Sequence, residues 1–253
     1  MRVLVCLKQV REPESLFELK DGRVVWPPPD RFRMGSPDDF ALEEALRLKD
    51  AGLTTELAVV TVGPPGAEAI LRRALGMGAD RAMHLLAPEG ARAAVVAGAI
   101  AAWARDEEFD LILAGVMSED ARQGLVGPFL AERLGLATVT GVSQLSLPED
   151  GLLLVERSLE GGRRQALELP LPALVTIASS AHTPRYPSLS NLLKAKKADL
   201  PTEAAGEPEE PADGPELVGA AWPARRRAGL CLEGDARQKA EHLLALLRER
   251  ALL

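Results

Sequence analysis

Four short apolar runs punctuate the first half of the chain: "VLVCL" at 3–7, "ELAVVTV" at 56–62, "AMHLL" at 82–86 and "DLILAG" at 110–115. Runs so short and so continuously apolar suit strands that are covered on both faces. Between them lie segments with helical spacing. Residues 38–52, "DDFALEEALRLKDAG", set Phe40, Leu42, Ala45, Leu46 and Leu48 on one side and stop at Gly52. Residues 67–79, 91–108 and 125–136 repeat the period. Strand and helix alternating in this way predict an α/β fold with a doubly wound, mostly parallel sheet and helices on both faces.

Further along, "LLLVERSLE" and "RRQALELP" alternate polar and apolar residues on either side of Gly161-Gly162, which predicts an added β-hairpin. "ALVTIA" at 173–178 is another buried run. The α/β domain is expected to span residues 1–200. Residues 201–217 carry six acidic residues, no basic ones and four prolines, the composition of an extended linker. Residues 218–253 then form an extended C-terminal arm ending in a helix over "DARQKAEHLLALLRER", with Asp235 as its N-cap. A helix beyond such a linker is free to embrace another subunit.

Composition narrows the function classes. The 253 residues are 47% hydrophobic but only 4% aromatic, so the core is built of Leu, Val and Ala. A net charge of −7 argues against general nucleic-acid binding. No uncharged apolar run reaches the 18 residues expected of a membrane span. Cys6 and Cys231 lie far apart without zinc spacing, which fits a reducing compartment and a cytoplasmic location.

Open α/β sheets bind ligands beyond the carboxyl ends of their strands. Here those ends read "CLKQV", "TVGPPGAEA" and "LAGVMSEDARQGLVGP". The last two are Gly-rich turns into helices, where free backbone N–H groups and the helix dipole favour a phosphate. Neither is a Walker motif or a GxGxxG, which favours an adenine nucleotide over a dinucleotide, and neither offers the lysine of a triphosphate loop. His84, His182 and His242 form no ligand cluster, Ser188 and Ser190 lack a nucleophile-elbow setting, and the carboxylate clusters read as solvated helix faces. A binding or carrier protein is the expectation.

One segment stands apart: "PRYPSLSNLLKAKKADL", residues 184–200, with prolines, a leucine between serines and three lysines. Together with "VERSLEGGRRQALELPLPALVT", "VLVCLKQV", "FALEEALRLKDAG", "ALGMGADRAMHL" and "RRRAGLCLEG", it resembles the beta-subunit family of electron-transfer flavoprotein along nearly the whole chain. The resemblance implies a heterodimer with an alpha subunit that holds most of the FAD, while the beta chain holds a structural AMP. It implies electron uptake from acyl-CoA and related dehydrogenases and delivery to a quinone oxidoreductase. The AMP contacts would fall on Cys6, on Gly35, Ser36, Pro37 and Asp38, on Val62, and on Gly115, Val116, Met117, Ser118, Glu119, Asp120, Ala121, Arg122 and Gln123. The docking segment would offer Arg185, Tyr186, Leu189, Lys194, Lys196 and Lys197, with Leu189 as the anchor in a pocket of the dehydrogenase. Three stretches depart from the family pattern. The loop at 115–123 is shorter, an Asn-Pro pair is replaced by Ser36-Pro37, and "NEPRY" appears as "HTPRY" at 182–186.

Taken on its physics alone, a leucine on a proline-braced helix start contributes about 1.5–3 kcal/mol if it is buried on docking. The alternative is that Leu189 packs against its own domain. A second class of function also stands: a self-sufficient adenine-nucleotide sensor of the universal-stress type, which would need neither hairpin, docking segment nor arm.

Overall fold

The computed structural model describes residues 1–28, 31–147, 152–178, 182–206, 218–222 and 229–252. In chain order the first elements are β1 (Arg2–Cys6), β2 (Gln9–Arg11), β3 (Glu18–Lys20), β4 (Arg23–Val25), β5 (Phe32–Met34), α1 (Ser36–Asp50), β6 (Glu56–Gly63) and α2 (Glu68–Met77). They are followed by β7 (Arg81–Leu86), α3 (Ala93–Ala104), β8 (Leu111–Gly115), α4 (Val126–Leu134), β9 (Ala137–Ser146), β10 (Leu153–Ser158), β11 (Arg164–Leu169) and β12 (Ala173–Ile177). The last are α5 (Leu189–Ala195), β13 (Thr202–Ala204) and α6 (Ala236–Glu249). The chain divides into a unit of Met1–Phe17 with Trp26–Glu216 and a unit of Glu18–Val25 with Leu217–Leu253.

The first unit is organised around a nine-stranded sheet in the order β11-β10-β9-β12-β8-β1-β6-β7-β13. Neighbours from β9 to β13 pair in parallel, and only the β10 pairings are antiparallel. Each continuous apolar run serves two layers. Val3, Val5, Leu57, Val59, Leu111 and Leu113 pack with Leu42 and Leu46 of α1 and Leu71 and Ala74 of α2. Leu4, Ala58, Val60 and Ile112 pack with Ala97 and Ile100 of α3 and Leu130 and Ala131 of α4. From β1 the chain lays down β6 and β7 on one side and returns to place β8 on the other. The strand order therefore reverses between β1 and β8, which is where a ligand crevice opens in folds of this kind.

The hairpin predicted across Gly161-Gly162 is β10 and β11, antiparallel from Ser158↔Arg164 inward, with both glycines at φ 72°. Two further strands of this sheet, β9 and β13, have neither a continuous apolar run nor a place in the hairpin. β9 alternates exposed Thr and Ser with a few inward residues such as Val139 and Val142. β13 corrects the linker expectation at its start: Thr202, Glu203 and Ala204 pair with His84, Leu85 and Leu86 as an edge strand. Residues 207–217, the remainder of that linker, lie outside the described residues, as does 223–228 of the arm.

In the second unit β3 and β4 form a small hairpin turning at Asp21 and Gly22, and the amide of Ala220 donates to Gly22 O at 2.7 Å. α6 starts on a capping box: Asp235 accepts from the Gln238 amide at 2.9 Å, and Gln238 accepts from the Asp235 amide at 3.0 Å. None of its residues is buried within the chain.

Candidate functional site

The crevice between β1 and β8 is closed at its base by one carboxylate. Asp38, in the first turn of α1, accepts from the Lys8 amide at 2.8 Å and from the Gly115 amide at 3.0 Å. It thereby ties the carboxyl ends of both switch-point strands to the start of α1. A Cβ on Gly115 would lie 2.3 Å from Asp38 Oδ1, so only glycine lets the carboxylate reach that amide. Burial pushes the Asp38 pKa up to about 7, against the pull of the two amide bonds and of Lys8. Cys6, at the end of β1, is also buried, and burial first, then Asp38, raises its pKa. It is a packed thiol with no reactive thiolate character.

Gly35, Ser36 and Pro37 form the entry of α1 beside this pin, and Val62 lies half-buried at the end of β6. One residue before Val62, the Thr61 hydroxyl is buried with no hydrogen-bond partner among the described residues. The loop from Gly115 to Gln123 folds back over the crevice. Its Asp120 carboxylate receives Lys8 Nζ at 2.7 and 2.8 Å, and Ser118 Oγ lies 3.3 Å from the same ammonium. Glu119 receives Arg33 Nη2 at 2.9 Å and the Ser36 amide at 3.2 Å. Burial opposes both charges, but Lys8 holds the Asp120 pKa below its ordinary value, and Arg33 with Ser36 does the same for Glu119. Val116 is half-buried, whereas Met117, Ala121, Arg122 and Gln123 are exposed.

The structure thus brings Gly35, Ser36, Asp38, Gly115, Ser118, Glu119 and Asp120 together with two residues that sequence reasoning passed over, Lys8 and Arg33. The signal for Lys8 was present: it directly follows the first apolar run, at a strand's carboxyl end. Lys8 and Arg33 are each paired with a carboxylate of the loop, so what this region offers a small anionic ligand is the helix start at the α4 entry after Gly124 (φ 64°).

The second constellation is the segment from His182 to Ala204. His182 Nδ1 lies 3.2 Å from Glu44. The Arg185 amide donates to Glu43 at 3.0 Å, and its guanidinium reaches Glu43 and Asp50, each at 2.8 Å. These bonds raise the Arg185 pKa, Glu43 more than Asp50. Glu43 and Glu44 are 4% and 6% exposed, so the reading of carboxylate clusters as solvated fails here. The strap's cationic and imidazole groups meet them where solvent would otherwise stand. Arg185 points into this pairing.

Ser188 caps α5 by accepting from the Asn191 amide at 3.2 Å. α5 lies on α2 over Gly76, whose absent Cβ would sit 3.2 Å from both Pro187 and Leu192. With Leu192 turned inward, Leu189 and Leu193 point outward at 74% and 53% exposure, beside Tyr186 at 87%. The alternative that Leu189 is a core side chain of its own domain does not survive that exposure. Lys194, Lys196 and Lys197 are exposed alongside.

The fold is a doubly wound α/β sheet whose strand order reverses between β1 and β8, with a strap whose Leu189, Leu193 and Tyr186 face outward. The Electron transfer flavoprotein domain model matches residues 31–208. The chain is 33% identical to "Electron transfer flavoprotein subunit beta" of Syntrophomonas wolfei over 93% of its length and 91% of that protein. The protein of the same description from Bacillus subtilis is 31% identical over 99% of both chains, and that from Homo sapiens 34% over 82% of both. The chain belongs to the electron-transfer flavoprotein family, as a beta-subunit member.

Proposed function

We propose that this chain is the beta half of a heterodimeric electron carrier, accepting electrons from acyl-CoA and related dehydrogenases and passing them to a quinone oxidoreductase. The observation that carries the docking part of this reading is the exposed Leu189 on a strap that is otherwise firmly tied down. FAD supplies the redox chemistry and is held mainly by the alpha subunit. Among the described residues no helix is long and apolar enough to cross a membrane.

AMP is the ligand we assign to the crevice. Gly35, Ser36, Pro37 and Asp38 would frame it from α1, with Cys6 and Val62 from the strand ends and Gly115–Gln123 from the loop. The main-chain amides at the Gly-rich turn into α4 are the groups we assign to its phosphate, since Lys8 and Arg33 are paired with Asp120 and Glu119, and Asp38 keeps the two strand ends together beneath it. The role we assign to these residues is to bind and position.

The test is co-expression with the alpha subunit. The lone chain should be colourless, and the pair should form a stable yellow complex that releases AMP on denaturation. Stoichiometric flavin on the lone chain would overturn the assignment of FAD to the partner. An absence of nucleotide in the complex would overturn the AMP reading alone.

A further inference from the structure

α5 has only seven residues, too few to be stable by itself, and its outward face is useful only if its direction is fixed. Its N-terminus is capped from within by Ser188. Its C-terminus is capped from another helix. Arg72 of α2 places Nη1 2.7 Å from Ala195 O, 3.0 Å from Lys196 O and 3.3 Å from Ala198 O, while its Nε is held by Glu68 one turn earlier on α2. Carbonyls at a helix end carry partial negative charge and lack intrahelical donors. A single guanidinium serves them here and also covers the exit of the chain toward β13.

We propose that Arg72 is a positioning residue for partner docking: it touches no partner, yet it fixes the pose in which Leu189 and Leu193 are presented. The proposal rests on the docking reading above. Arginine suits the task because its two arms work at once, Nε anchored on Glu68 and Nη1 spanning three carbonyls. Lysine could offer one ammonium to one or two of those carbonyls, with no second arm to orient it. The N-terminal half of the strap is held independently through Arg185 on Glu43 and Asp50, so losing Arg72 should free α5 without releasing the whole segment.

The experiment uses the purified heterodimer, an acyl-CoA dehydrogenase with its substrate as electron donor, and the variants Leu189→Ala, Arg72→Ala and Arg72→Lys. Flavin reduction is followed as the heterodimer concentration is varied, with dithionite reduction and the thermal midpoint measured on the same samples. Arg72→Ala should raise the half-saturating heterodimer concentration about fivefold, the worth of a cap hydrogen bond. The limiting rate, the dithionite reaction and the midpoint should stay near those of the parent. Arg72→Lys should fall between the two. As a second measure, trypsin should cleave after Lys194, Lys196 and Lys197 faster in Arg72→Ala than in the parent.

If Leu189→Ala weakens docking while Arg72→Ala behaves as the parent in both assays, the positioning role is overturned. Full restoration by lysine would assign the effect to charge alone and also overturn it. If Leu189→Ala itself has no effect, the docking reading fails, and this proposal falls with it.

Discussion

Leu189 and Asp38 stand at opposite extremes of exposure, and each dictates its own experiment. Truncating Leu189 to Ala opens no cavity, because the side chain meets water and not the core, so unfolding free energy should change by less than about 0.5 kcal/mol. Docking loses a buried anchor, about 2 kcal/mol or roughly thirtyfold in affinity if it is a hot spot. Titrating the heterodimer against dehydrogenase beside a thermal melt separates the two. A large drop in the midpoint with unchanged docking would make Leu189 a core residue after all. Neutralising Lys194, Lys196 and Lys197 should instead lower the association rate and its salt dependence. Asp38 acts through pH. Its carboxyl ionises near 3.8 when exposed and near 7 in the folded chain. Between those values the folded state keeps a proton that the unfolded chain has released. Stability should therefore fall as pH rises through this window, by about 1.4 kcal/mol per unit from this group, and level off above it. Asp38→Asn cannot ionise, so denaturant melts from pH 4.5 to 7.5 should show a parent-minus-variant difference with that slope. Parallel curves would remove Asp38 as the source.

At the scale of elements, Gly127 lets α4 lie directly against the sheet. A Cβ there would lie 2.5 Å from Thr176 Cγ2 on β12, both buried. Gly127→Ala should push α4 off the sheet and cost about 1–3 kcal/mol by overpacking, measured as a lowered denaturation midpoint. Wild-type stability would mean that α4 slides without cost. Buried strands such as β1, β6 and β8 were legible in the sequence because burial on both faces leaves a continuous apolar run. β9 and β13 were not, for different reasons. β9 is half exposed and mixes Thr and Ser into its alternation. β13 is exposed in its side chains and pairs with β7 through its backbone, about which a Thr-Glu-Ala triplet says nothing. The same limit hid the site's ion pairs. Lys8 and Asp120 are 112 residues apart, and Arg185 and Glu43 are 142 apart, so only the folded topology brings them together. The glycines and the "GSPD" turn were readable because their backbone demands are local.

On the scale of the whole molecule, among the described residues none beyond Ala205 belongs to either packed cluster of the first unit. Deleting 218–253 should leave the α/β unit folded while weakening assembly with the alpha subunit, read by far-UV circular dichroism and by size exclusion with the partner. An unfolded truncation would place the arm in the core of its own chain. Leu243 and Leu244, on the unburied α6, are the side chains an alpha subunit would be expected to cover. The strap's far end offers a different kind of readout. The amide of His84 donates to Pro201 O at 3.0 Å, and the Ala205 amide donates to Leu86 O at 2.9 Å, so the far end of the strap is stitched to the sheet through backbone hydrogen bonds. Deuterium uptake at the His84 amide, which the strap's Pro201 holds, becomes a clock for how often the strap lifts. A partner that clamps Leu189 should slow that clock from outside, and one that pries the strap open should speed it.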